Sequence, residues 1–310
     1  MIWTRLAASL LIAALTLAGV THWRAASREA AALAAHPPTG SFVLVDGRRL
    51  HYEMAGRGPD LVLIHGASGS LRDLTYALRD RLTDRYRVTV VDRPGLGHSD
   101  PLTETSLRAQ ARHIRAGLAQ LGVTDPVVLG QSYGGAVALA WALEGGPRAL
   151  VLVGAPSLPW PGTLDPWYRL TSTALGRAIA VPLASAFVPE AYVTSATAGV
   201  FAPAAVPPGY EAHLGTPLIL RRQTLATNTA QVNALRAELV AMEPNYPDLT
   251  LPVELVHGTA DTIVPLHIHS APLSARLPNA RLTVIPGAGH MPHHSHPEVV
   301  LQAIDRAALR

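Results

Sequence analysis

A serine set between glycines, an aspartate and a histidine each stand just after a short apolar run of this 310-residue chain. The serine is Ser132 in Gly130-Gln131-Ser132-Tyr133-Gly134-Gly135, preceded by Val127–Leu129 and followed by a helical pattern, Ala136–Leu143. A strand-to-helix turn this tight strains the backbone of its central residue, and glycine on either side lets the chain pass. It would lift the Ser132 hydroxyl to the carboxyl edge of a sheet. A serine hydroxyl is a weak nucleophile until a base takes its proton, and the base needs a carboxylate to orient it. Asp261, in His257-Gly258-Thr259-Ala260-Asp261, follows Val253–Val256; His290, in Gly287-Ala288-Gly289-His290, follows Leu282–Ile285. The order Ser, Asp, His puts all three on loops at one sheet edge, the side where α/β sheets build their sites. We expect Ser132 as nucleophile, His290 as general base and Asp261 as the acid that orients it.

Attack on a carbonyl also needs hydrogen-bond donors for the developing oxyanion. His65-Gly66-Ala67-Ser68-Gly69-Ser70 follows the run Leu61–Ile64, and its small residues admit a substrate to the backbone. The amides of Ala67 and Tyr133 are the expected oxyanion donors. His293, His294 and His296 crowd the chain after His290. Such short spacing on a loop fixes no coordination geometry, so a solvated loop cluster is expected rather than a metal site.

The elements that must hold these residues are legible as periodicity. Phe42–Val45, the Asp46-Gly47 turn and Leu50–Tyr52 form a hairpin signal. Short continuous apolar runs follow at Leu61–Ile64, Val88–Val91, Val127–Leu129, Leu150–Val153, Val253–Val256 and Leu282–Ile285, with helical patterns over 71–83, 104–121, 133–144, 265–276 and 297–308. Runs of that kind suit strands buried on both faces, which predicts a mostly parallel α/β sheet flanked by helices, entered through an antiparallel hairpin. Residues 157–245 contain no good strand, yet hold 7 of the 16 aromatic residues and ten prolines. A structureless loop that long is improbable, so a helical cap inserted after the sixth strand is expected. The core is then 41–156 with 246–310, and the cap 157–245.

The amino terminus is different in kind. Residues 6–20 are uncharged and apolar, and Ile2–Trp23 can just cross a bilayer. A good cleavage site of the A-x-A type is missing, so residues 1–24 are expected to be an uncleaved membrane anchor, followed by a helical stalk or linker over 25–40. Arg5 and the amino group balance Arg24 and Arg28, which leaves orientation weakly determined by charge; the exported side is expected for the catalytic domain.

Composition removes other chemistries. The chain has no cysteine, and all 25 of its basic residues are arginine, so thiolate sites, a cysteine nucleophile, Schiff bases and a P-loop lysine are excluded. A net charge of +3 without long basic runs argues against a nucleic-acid partner.

With these motifs in order, the chain resembles the α/β-hydrolase superfamily of the serine-nucleophile, helical-cap type: H-G-A-S after Ile64, D-R-P-G-L-G-H-S at 92–99, G-Q-S-Y-G-G at the elbow, H-G-T-A-D at 257–261 and G-A-G-H-M-P at 287–292. The resemblance covers residues 41–310. It implies an α/β-hydrolase fold, the same roles for Ser132, Asp261 and His290, no cofactor, and a structural role for Asp92. Serine stands at the elbow where haloalkane dehalogenases and epoxide hydrolases carry aspartate, and no H-G-G-G loop of the hormone-sensitive-lipase branch occurs. The expected function is hydrolysis of small or medium apolar carboxylic esters through an acyl-enzyme. Carbon–carbon hydrolysis, a cofactor-free perhydrolase reaction and a non-catalytic binding protein of the same fold are the alternatives.

Overall fold

The structure is a computed structural model that describes residues 2–309. Helix α1 (Ile2–Ala35) leads into the hairpin β1 (Ser41–Val45) and β2 (Arg48–Ala55), and then β3 (Asp60–Ile64), α2 (Leu71–Ala77), β4 (Arg87–Val91), α3 (Leu107–Gln120), β5 (Val127–Gln131), α4 (Tyr133–Leu143) and β6 (Ala149–Val153). Five helices follow without a strand: α5 (Pro166–Thr171), α6 (Ala174–Phe187), α7 (Glu190–Phe201), α8 (Tyr210–Leu214) and α9 (Arg222–Met242). The sheet resumes with β7 (Val253–Gly258), α10 (Ser270–Arg276), β8 (Ala280–Ile285), α11 (Pro292–Ser295) and α12 (Pro297–Ala308).

The eight strands form one sheet in the order β1-β2-β4-β3-β5-β6-β7-β8. Only β1–β2 and β2–β4 pair antiparallel; every other pair is parallel. The Val- and Leu-rich runs of β3, β5 and β6 are buried throughout, as strands covered on both faces must be. One face packs against α3, α4 and α10, and the other against α2 and α12. Helix α4 is apolar all round because it lies wholly inside, next to the strands it connects.

Three helical patterns are shorter than their periodicity suggests. The first ends at Ala77 and passes into a 3-10 turn, Arg79–Arg81. The second starts at Leu107, because the Ser106 hydroxyl caps it by accepting from the Ala109 amide. The third starts at Ser270, because the backbone of the preceding His269, at φ −110° and ψ −82°, is not helical. The apolar amino-terminal run and the alanine-rich stretch after it form a single unbroken helix, α1, so no boundary appears at residue 24. Helix α1 is long and apolar enough to cross a membrane by length and composition.

Candidate active site

Ser132 occupies the turn between β5 and α4 with φ 48° and ψ −125°, a left-handed conformation rarely adopted by a residue with a side chain. Its neighbours explain how the turn closes. A Cβ on Gly130 would stand 2.4 Å from the Gly134 carbonyl oxygen, and one on Gly134 would stand 2.2 Å from that of Ile64. Only glycine permits both approaches, and the result is a half-buried hydroxyl at the amino end of α4.

Two more loops of the same sheet edge reach it. His290 lies after β8, with Nε2 2.9 Å from Ser132 Oγ and Nδ1 2.8 Å from Asp261 Oδ2. Asp261 lies after β7, and its other oxygen accepts the Ile263 and Val264 amides at 3.0 and 2.8 Å. The three residues singled out in the sequence therefore form one hydrogen-bonded row. Burial disfavours the Asp261 charge, but hydrogen bonds from His257 and His290 outweigh it and hold the carboxyl well below the usual range. An ionised Asp261 accepts a hydrogen bond from His290 Nδ1–H, which leaves the Nε2 lone pair facing the serine.

His257 is a partner that sequence reasoning quoted in a motif without giving it a role. Its Nε2 is 2.7 Å from the Val264 carbonyl and 3.2 Å from Asp261 Oδ2, and its Nδ1 is 2.7 Å from Ser270 Oγ. It thus clamps the Asp261 turn.

The loop Gly66–Ser68 carries Ala67 beside the elbow, where a Cβ on Gly66 would stand 3.1 Å from the Ser132 Cβ. Arg93 holds this loop from behind. The side chain is fully buried, donating from Nε to the His65 carbonyl and from Nη2 to the Gly66 carbonyl, each at 3.0 Å, and from Nη1 to Gln110 and Gln231. Its guanidinium lies 4.3 Å from the Tyr133 ring centroid, so one cation braces both segments expected to supply oxyanion amides. Burial pulls the Arg93 pKa down to about 10. Asp92, expected to be structural, accepts from His51, the Leu71 amide and the His98 amide. From α9 Asn228 accepts the Ser68 amide at 2.8 Å, and His269 Nδ1 accepts the amides of Ser157 and Leu158, where the chain leaves β6 for α5.

The histidines after His290 are not a solvated loop cluster. His293 is fully buried on α11, its Nε2 3.1 Å from Asp73 Oδ2, and His294 Nε2 is 2.7 Å from Asp73 Oδ1, which also accepts the Tyr210 hydroxyl at 2.8 Å. The partner missing from the sequence reading was Asp73, 220 residues away on α2. Burial opposes the Asp73 charge, but the two histidines hold its carboxyl well below the usual range. Asp73, His293 and His294 bring three ligand atoms within 4.8 Å and could hold a metal ion. Hydrogen bonds alone already satisfy the carboxylate, so a metal is not needed to explain the cluster. His296 stays apart, beside Ser295.

The chain belongs to the alpha/beta hydrolase family, whose model matches residues 61–303. It is a hydrolase. It is 32% identical to the pimeloyl-[acyl-carrier protein] methyl ester esterase of Aeromonas hydrophila, covering 82% of this chain and 96% of that one. It is 29% identical to the 2-hydroxymuconate semialdehyde hydrolase of Pseudomonas putida, over 84% and 91% of the two chains. The crystal structure of an alpha/beta hydrolase fold protein from Burkholderia ambifaria superimposes with a TM-score of 0.70 at 26% identity, covering 85% and 96%.

Proposed function

We propose that this hydrolase cleaves small or medium apolar carboxylic esters through an acyl-enzyme on Ser132. The observation that carries the reading is the Ser132–His290–Asp261 row, with 2.9 and 2.8 Å links, at a strained elbow. His290 Nε2 takes the hydroxyl proton as Ser132 Oγ attacks the ester carbonyl, and the amides of Ala67 and Tyr133 hold the oxyanion. Collapse of the tetrahedral adduct breaks the bond to the alcohol, which leaves with the proton from His290. Water repeats the attack and gives its proton to His290, and the bond to Ser132 Oγ then breaks, His290 returning the proton to the serine as the acid is released. Asp261 stays ionised and stabilises the imidazolium at each step. The preference for an apolar substrate follows from the cap, where only 10 of 89 residues are Asp, Glu or Arg. The relative named for a semialdehyde substrate favours one second reading, carbon–carbon cleavage by the same row of residues.

In the same reading α1 anchors the chain in a membrane, with the catalytic domain on the exported side; protease access in intact spheroplasts checks the sidedness. The test of the chemistry is hydrolysis of p-nitrophenyl esters from acetyl to decanoyl by the native chain and by Ser132→Ala. We expect turnover by the native chain and a fall of at least about 10⁴-fold in kcat for the variant, since loss of a nucleophile costs that order in comparable enzymes. Retained activity in Ser132→Ala would remove Ser132 from the chemistry. Failure on every ester, with turnover of a diketone, would favour the second reading.

A further inference from the structure

Four apolar side chains stand along one face of α6 at intervals of four residues: Leu175, Ile179, Leu183 and Phe187, which are 71%, 54%, 38% and 45% exposed. Residues spaced by four share a helix face, so these form a single stripe about 18 Å long. Exposed Leu170 on α5 and Tyr192 on α7 extend the apolar surface beyond it. Aligned apolar exposure of this kind marks an interaction surface rather than ordinary scatter.

The neighbouring contacts identify what covers it. Arg24 Nε of α1 donates to the Ala186 carbonyl at 2.8 Å, and Arg28 Nη2 donates to that of Val188 at 2.9 Å. Glu29 accepts the Arg222 amide, Nε and Nη2 at 2.7, 2.8 and 2.7 Å, so α1 is fixed to the cap at three places. The Arg24 guanidinium lies 5.5 Å from the Phe187 ring centroid, at the end of the stripe. Both contacts lie at the carboxyl end of α6, Arg24 with Ala186 on its last turn and Arg28 with Val188 just past it. The apolar run of α1 lies on the amino-terminal side of these contacts. That run is bracketed by exposed Trp3 and Trp23, which are separated by about 30 Å of helix, the thickness of a bilayer's hydrocarbon core. Tryptophan concentrates at both faces of a membrane, so Trp23 marks the surface level, and Arg24 beside it touches the stripe.

We propose that the α6 face of the cap lies in the headgroup and upper acyl region of the same leaflet that α1 enters, and that the site draws its ester from that bilayer. The inference rests on reading α1 as an anchor and the site as an ester hydrolase, and adds the phase from which the substrate comes. An amphipathic face parallel to the surface inserts to a depth of about 5–10 Å, which matches a single stripe of leucine, isoleucine and phenylalanine.

The chain lacks cysteine, so single cysteines report without background. The full chain, carrying an environment-sensitive fluorophore at Leu15→Cys, Leu175→Cys, Ile179→Cys or Arg57→Cys, is reconstituted in phosphatidylcholine–phosphatidylglycerol vesicles containing a nitroxide-labelled lipid. Positions 15, 175 and 179 are expected to lose roughly half their emission or more, and position 57, on an exposed turn before β3, almost none. Quenching at 15 with positions 175 and 179 as bright as 57 overturns the docking while leaving the anchor standing. No quenching at 15 overturns the anchor and the proposal together. In parallel, Leu175→Asp/Ile179→Asp should keep the turnover of soluble p-nitrophenyl acetate and lose roughly tenfold on a long-chain ester held in vesicles. Equal effects on the two substrates overturn delivery from the bilayer. Turnover of neither by the native chain removes the ester reading, with docking still decided by the quenching.

Discussion

Protonation of His269 sets one of the residue-scale properties that can be measured. Burial pushes its pKa down to about 4, and its Nδ1 accepts two amides only while it is neutral. The unfolded chain takes up this proton near the ordinary value of 6.5, so between pH 6.5 and 4 the unfolded state binds more protons and stability falls with pH. Above that window the residue adds no pH dependence, and below it the loss is complete. His65 and His293, also pushed down to about 4 by burial, act in the same direction. We expect thermal unfolding midpoints to fall on going from pH 7 to 4.5, and less steeply in His269→Asn, which keeps an acceptor but does not titrate. An unchanged slope would show that His269 is not the group responsible. The contrast with the hydrogen-bonded row Ser132–His290–Asp261 explains what was legible at this scale. Ser132, Asp261 and His290 announce themselves by residue type and by position after apolar runs. Arg93 does not, because an arginine reads as surface, and its burial depends on two carbonyls, two glutamines and a tyrosine ring from separate parts of the chain. Asp73 was invisible for a similar reason: its partners lie 220 residues away.

Close approach between elements is the constraint at the next scale. The elbow works because α4 starts almost in contact with β3, and the Gly134 position has no room for a methyl group beside the Ile64 carbonyl. Gly134→Ala should therefore displace α4, lower the unfolding midpoint by roughly 5 °C or more and reduce activity with it, since backbone cannot yield as a flexible side chain does. A native midpoint and native activity would show that the two segments can separate freely. Most of this architecture was readable. Six short apolar runs located β3 to β8, the Asp46-Gly47 hairpin signal located β1 and β2, and the interval without a strand signal is where α5 to α9 stand. Helix ends were not readable to the same degree. Ser106 caps α3 through its side chain, and α10 begins only after His269, whose backbone at φ −110° and ψ −82° is not helical. The Asp73 staple joins α2, α8 and α11 through Tyr210, His293 and His294, and no periodicity encodes such a junction.

At the scale of the whole molecule, α1 runs unbroken from Ile2 to Ala35 and is pinned to the α6–α9 segment by Arg24, Arg28 and Glu29. Its last third is thus part of the hydrolase body, and the apolar remainder is a stiff extension of that body rather than a tether. With α1 in a bilayer, Ser132 and its partners would keep a fixed height and heading relative to the surface, held by the contacts of Arg24, Arg28 and Glu29. Encounter becomes a two-dimensional search in which the quantity that counts is the mole fraction of ester in one leaflet. Diluting the ester with inert phospholipid, at constant total ester, should then slow turnover in proportion; a rate that follows only the total amount would mean that substrate arrives through water. With α1 embedded, so stiff a junction would convert the enzyme's concentration dependence into a dependence on membrane composition.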